Sequence, residues 1–210
     1  MRQNFVQVRD TGFVLQGQPF RMRGFALGSW LNLEHFMVGI PGTHSMIRDA
    51  LYEVYGADRA EQFLLRLSRA MVGEEDIAYL KALGTNTLRI PFSYHWFLDD
   101  QAPDRFRPEG FTELERVIAC CRKHQLRVIL DLHSVPGAQN NDWHSDSTTG
   151  QALFWQYAVF RRQACALWRE LARIYAEDPW VIGYDVLNEP TYGLPRALFN
   201  GFYRQGTEAI

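Results

Sequence analysis

Val181-Ile182-Gly183-Tyr184-Asp185-Val186-Leu187-Asn188-Glu189-Pro190 is an apolar run that stops on a polar triplet, and it decides the architecture. The run reads as a buried strand over Val181 to Leu187, with a carboxylic acid planted where it stops. A carboxyl group at the C-terminal end of a parallel strand, backed by an apolar core, is held protonated near neutral pH and can give that proton to a leaving group. A polar strand end capping a turn is the bland alternative. Two earlier stretches, Thr85 to Phe92 and Arg127 to His133, have the same strand-like character. Between the strands, Phe111, Leu114, Ile118 and Cys121 recur at helical spacing over Glu109 to His124, and Phe160, Ala164, Leu167, Leu171 and Ile174 do so over Ala152 to Ala176. Strands alternating with helices imply an α/β fold with a parallel sheet, whose crossovers bring every strand C-terminus to one end.

Working outward, residues 5 to 9 and 13 to 15 read as a hairpin around Asp10-Thr11-Gly12, a lid over one end of the core, with a further turn at Gly17-Gln18. Phe20 to Gly28 reads as a first strand and Thr43 to Leu83 as a long helical insertion, and a last helix opens near Pro195. That makes four strand-helix units in 210 residues, where a closed eight-stranded barrel needs roughly 250 residues. The expectation is one domain over residues 1–210, either a small open sheet or half a barrel.

The near balance of 22 Lys and Arg against 24 Asp and Glu gives no reason to expect a nucleic acid or an anionic membrane as partner. Cys120, Cys121 and Cys165 lack metal-ligand spacing and read as reduced thiols. The first ten residues, Met1 to Asp10, lack the apolar core of a signal peptide and no segment has the length of a membrane span, so a cytoplasmic location is expected.

The strand ends carry the candidate chemistry. The first is followed by Trp30, Asn32 and Glu34, the second carries Arg89 with Pro91, the third ends Asp131-Leu132-His133 and the fourth Asn188-Glu189-Pro190. Arg89, on a strand otherwise made of Leu88, Ile90 and Phe92, is costly to bury without an anion, so Asp131 or Glu189 is expected as its partner. His133 reads as a general base, a donor to a hydroxyl-rich ligand, or a satisfied core histidine. The amide-rich loop Val135 to Asp146, with Trp143 in it, suits a sugar, because amides and imidazole bond hydroxyls while an indole packs on the ring's C–H face. Asp131, His133, Asp142, His144 and Asp146 are a rival cluster of metal ligands, but their spacing fits no familiar motif, and no metal or cofactor is expected.

Leu88-Arg89-Ile90-Pro91-Phe92, Asp131-Leu132-His133-Ser134-Val135-Pro136-Gly137 and Asn188-Glu189-Pro190, in this order on successive strands, resemble glycoside hydrolase family 5. The match to the family's first half runs from about Gly17 to Ile210. Gly28-Ser29-Trp30-Leu31-Asn32-Leu33-Glu34 and Gln139-Asn140 look closest to the exo-β-1,3-glucanase-like and endoglycoceramidase-like branches. The resemblance implies a TIM (β/α)8 barrel, here its first four units plus an N-terminal hairpin, and retaining hydrolysis of β-linked oligosaccharides, polysaccharides or glycosides. It implies Glu189 as acid/base, Arg89 as the residue orienting the nucleophile, and Asn188 as the amide on the sugar 2-hydroxyl. It implies His133 as lining the same subsite, and Glu34 and His144 as substrate-binding. Apolar packing around Glu189 is expected to raise its pKa, separating acid from nucleophile.

The family's nucleophile, a Glu on the seventh strand, has no counterpart here. The expectation is therefore an N-terminal half without measurable turnover alone, whose unpaired first and fourth strands invite association. A noncatalytic carbohydrate-binding module is the alternative.

Overall fold

A computed structural model describes residues 4–210. Met1 to Gln3, part of the segment read for a leader, lie outside the described residues. The chain opens with β1 (Gln7–Arg9), β2 (Gly12–Leu15) and β3 (Gln18–Pro19), so the expected hairpin gains a third antiparallel strand. As a lid it covers little, because most of its residues are exposed. Its exit reaches the N-terminal end of the main sheet, where the Arg127 guanidinium carbon lies 5.9 Å from the Phe20 ring centre.

The first main strand is β4 (Gly24–Ala26), shorter than the expected Phe20 to Gly28. A Cβ on Gly24 would meet the Thr87 carbonyl oxygen at 1.5 Å, so only glycine lets the strand approach its neighbour. The insertion that follows is broken into α1 (His35–Val38), α2 (His44–Tyr55), α3 (Ala57–Met71) and α4 (Glu74–Ala82). Thr43 caps α2 by accepting from the Met46 N–H, and Gly56, at φ 75°, turns the chain straight into α3. Asp76 reaches back to the Gly73 N–H and starts α4.

Next come β5 (Thr87–Ser93), a polar antiparallel ribbon of β6 (Leu98–Asp99) and β7 (Ala102–Phe106), and α5 (Pro108–Lys123). The ribbon was not expected. Helix α5 starts on Pro108 with Glu109 in its first turn and ends on Arg122 and Lys123, charges matched to its dipole. After β8 (Arg127–Ser134), the single helix expected over Ala152 to Ala176 is two, α6 (Leu153–Gln156) and α7 (Ala158–Tyr175). Tyr157 is extended at the break, and the Arg161 guanidinium takes up the freed carbonyls of Phe154 and Trp155. The chain closes with β9 (Val181–Asp185), two residues shorter than expected, and α8 (Arg196–Ala209).

The main sheet has the order β4-β5-β8-β9, all parallel and in chain order. Leu88, Ile90 and Phe92 of β5 and Val128, Leu130 and Leu132 of β8 are fully buried with Leu114, Val117 and Ile118 of α5 and Leu167, Trp168 and Leu171 of α7. Each such side chain contributes roughly 1.5–3 kcal/mol of burial. The intervening positions, Arg89 on β5 and Ile129 and Asp131 on β8, belong to the opposite face by the period of two. Cys121 and Cys165 are buried and Cys120 half-buried, all as free thiols.

Candidate active site

Register builds the site. Pro91 lies beside Asp131, and Asp131 beside Asp185, across three neighbouring strands. Asp131 is fully buried; its Oδ2 lies 2.9 Å from an Arg89 Nη2 and 2.7 Å from His133 Nδ1. Burial pushes the Asp131 carboxyl up, against the pull of His133 and Arg89. His133 in turn places Nε2 at 3.5 Å from Glu34 Oε1. Burial also pushes the Glu34 carboxyl up, with His133 and His144 pulling it down and Glu189 and Asp131 adding to the rise.

Arg89 has three partners: Asp131, Asp185 at 3.1 Å, and the Asn188 side-chain oxygen at 2.8 Å. Of the two expected partners only Asp131 is used, and Asp185 is an addition. Asn188 is anchored by its backbone N–H on the Leu132 carbonyl, and its buried side-chain Nδ2 has no acceptor among the described residues.

Glu189 departs from the expected apolar packing. Because β9 ends four residues earlier, at Asp185, Glu189 stands on a turn at φ 40° with its side chain 68% exposed. Its Oε2 lies 3.0 Å from His144 Nε2, and its carbonyl accepts from Asn140 Nδ2 at 2.8 Å. The amide of Asn140 is oriented by Asp142, whose backbone N–H donates to Asn140 Oδ1. Its Nδ2 therefore faces both the Glu189 carbonyl and, at 3.1 Å, His144 Nε2. Gln139 donates to the carbonyls of His133 and Asn188, tying β8's end to the Glu189 turn.

All six residues selected from the sequence meet in one network. Glu34 and His133 form one branch, Arg89 and Asn188 the centre, and Glu189 and His144 the other branch, with the two imidazole rings 6.4 Å apart. Glu189 opens on a cavity of about 780 Å³, which Asn140, Asp142 and Tyr192 also border. At the rim, Trp143 packs edge-on against His35 and Phe36 at 4.1 and 5.3 Å.

Sequence reasoning missed Asp185, and it singled out Gln139 and Asn140 without seeing that they bond the carbonyls of His133, Asn188 and Glu189. Asp185 was signalled by its position three residues before Asn188 on an otherwise apolar strand. The rival metal cluster disperses, because Asp146 turns away to Ser45 and His95 while His144 turns to Glu189. Among the described residues no three His, Cys, Asp or Glu side chains are grouped to hold a metal ion. No helix among them is long and apolar enough to cross a membrane.

Four parallel strands, each followed by helix, with a carboxylic acid, an arginine, an amide and two histidines gathered at one end, define the class as part of a (β/α)-barrel. The chain belongs to glycosyl hydrolase family 5: the profile described as Cellulase (glycosyl hydrolase family 5) matches residues 61–203. A β-xylosidase of Phanerodontia chrysosporium is 44% identical over 188 residues, covering 89% of this chain and 40% of the relative. A probable glucan 1,3-β-glucosidase A of Emericella nidulans is 31% identical over 175 residues, covering 81% of this chain and 42% of the relative. In fold, the chain is similar to a rutinosidase from Aspergillus niger, with a TM-score of 0.70 at 17% identity over 90% of this chain and 58% of the other. An endogalactoceramidase gives a TM-score of 0.68 at 16% identity over 98% and 50%. The chain thus spans about two-fifths of the length of these curated relatives, and the fold is that of part of a barrel.

Proposed function

We propose that this chain carries the acid/base half of a retaining β-glycosidase acting on β-xylosides or β-1,3-linked glucosides, the substrates named for its relatives. The observation that carries the reading is Glu189 itself. Its carboxyl group faces an open cavity with His144 at 3.0 Å, while Asn140 pins its backbone. With a nucleophilic carboxylate supplied from outside these 210 residues, Glu189 would give its proton to the glycosidic oxygen as that carboxylate bonds the anomeric carbon and the glycosidic bond breaks. In the second step it would take a proton from the water that displaces the carboxylate. His144 shares a proton line with the acid and steadies it. Asn188, whose Nδ2 lacks an acceptor, is free to bond a sugar hydroxyl, and Glu34 and His133 supply an acceptor and a donor on the other side.

Retention requires a second, ionised carboxylate about 5 Å from the acid. Asp131 and Asp185 are bound to Arg89, and Glu34 is pushed up by burial, so none of the three is a free anion for attack on carbon. The 210-residue chain alone is therefore expected to bind sugar without turning it over, which is also how a noncatalytic fragment would behave. The test is aryl β-xyloside and β-glucoside hydrolysis by the chain alone, then mixed with the C-terminal portion of the 44%-identical β-xylosidase. No release alone, release on mixing, and loss of that release with Glu189→Gln are expected. Undiminished release with Glu189→Gln would remove the acid from the mechanism.

A further inference from the structure

Another cavity lies elsewhere, bordered by α2, α3 and the β6–β7 ribbon. It has a volume of about 950 Å³, and none of the six candidate residues borders it. Beside it a niche of about 10 Å³ is bordered by His44, Arg48, Glu61, Trp96 and Arg107, among others. That is room for one oxygen atom.

Two N–H groups of these bordering residues, Trp96 Nε1 and Arg48 Nε, are buried with no acceptor among the described residues, and Trp96 is only 8% exposed. Buried donors are normally paired, so the niche is built to receive an acceptor. Arg48 Nη2 is engaged: it donates to the Tyr52 hydroxyl at 2.8 Å and lies 3.5 Å from Glu61. Glu61 is also paired with Arg107. The Arg48 donor is thus held in place by an ion-pair network.

The occupant's chemistry follows by exclusion. A cation cannot satisfy N–H donors. An anion meets a wall in which carboxylates outnumber guanidiniums six to three. A neutral hydroxyl satisfies both conditions, accepting from Trp96 and Arg48 while its own proton goes to a carboxylate. Tyr52 and Phe106 also line the cleft, and Gln62, Asp99 and Arg105 offer further partners for hydroxyls. We propose that this cleft is a second saccharide-binding site, separate from the Glu189 centre, which seats one sugar hydroxyl in the niche and holds an oligosaccharide without cleaving it.

The test is calorimetric titration of the 210-residue chain with xylotriose and with laminaritriose. A Glu34→Ala/His133→Ala/Asn188→Ala variant removes the hydroxyl-binding groups assigned to the candidate active site. Trp96→Phe removes one niche donor while keeping a ring, and Gln62→Ala/Arg105→Ala changes two exposed residues of the cleft wall and leaves the fold intact. Saturable binding that survives in the first variant and weakens at least fivefold in each of the other two is expected. Loss of all saturable binding in the first variant overturns the proposal, as does binding indifferent to both cleft variants. A structure grown with xylotriose that shows only a water in the niche also overturns it. Because binding is read without turnover, failure here is separable from failure of the glycosidase reading.

Discussion

Two stacked histidines show how one residue type takes opposite protonation states. His44 and His95 lie with ring centres 5.6 Å apart, both buried. Nδ1 of His44 accepts the Leu33 N–H at 3.0 Å, so it carries no proton there, and burial pushes the imidazole down to about 3. Burial pulls His95 down as well, but Asp146 at 2.8 Å and Asp100 at 3.1 Å outweigh it and raise its pKa. Asp146 also accepts from the N–H and hydroxyl of Ser45, and despite burial it is lowered to about 2, largely by His95. The signs differ. The His95 contribution is complete below the unfolded value near 6.5 and is lost as pH rises through its higher folded pKa. The His44 contribution is complete above about 6.5 and is lost as pH falls toward 3, and that of Asp146 is lost between its ordinary value and about 2. His44→Leu should cost about 1–3 kcal/mol at pH 7 by stranding the Leu33 N–H. At pH 5 the deficit should shrink by about 2 kcal/mol, because the wild type then protonates His44 only when unfolded. Urea midpoints at the two pH values decide it, and an unchanged deficit would mean that His44 is not held neutral. This network was not legible in the sequence, since Ser45 in the first turn of α2, His95 and Asp146 lie about fifty residues apart. The gathering of the candidate residues at one end of the sheet was legible in part, because Asn188-Glu189 and His133 end apolar runs and Arg89 interrupts one. What misled was the environment of Glu189: an apolar run implied burial, yet the strand's hydrogen bonds stop before the acid.

At the scale of elements, Gly110 sets local propensity against packing. It sits in the first turns of α5, where a Cβ would meet the Trp96 carbonyl oxygen at 2.1 Å. Helix propensity favours alanine by about 1 kcal/mol. Overpacking costs roughly 1–3 kcal/mol, and the obstacle here is backbone, which cannot swing aside as a side chain would. Gly110→Ala should therefore destabilise by about 2 kcal/mol, read as a lower urea midpoint with an unchanged slope. A stabilised variant would show that α5 does not rest on the Trp96 turn. The same balance explains which elements the sequence disclosed. Strands β5 and β8 and helix α5 were found within two residues of their ends, since buried runs and helical spacing agree there. The β6–β7 ribbon stayed hidden because Ala102-Pro103-Asp104-Arg105-Phe106 has no apolar alternation and pairs through little more than Leu98 opposite Phe106. The break at Tyr157 stayed hidden because Arg161, a tertiary partner of the α6 carbonyls, and not a local breaker, sustains it.

At the scale of the whole molecule, the sheet decides how the chain behaves alone. Among the described residues β4 pairs only with β5 and β9 only with β8, so each presents one edge of unpaired backbone groups. Phe25, in the middle of β4, is 54% exposed, and the face opposite the helices carries the half-buried Arg89 and Asp185. Unpaired parallel edges beside exposed apolar side chains are templates for another strand. The 24.4 kDa chain should therefore self-associate, with a light-scattering mass that climbs with concentration. Phe25→Lys should lower that mass, because a charged side chain on an edge opposes pairing. Association also bears on the site, since Glu34 lies on the loop after β4 and Glu189 beyond β9, the two ends of the sheet. Strand pairing at either edge would order both loops, so sugar affinity should rise with chain concentration. A sharp monomer at all concentrations, with concentration-independent affinity, would show instead that four strands and their helices close their edges without help.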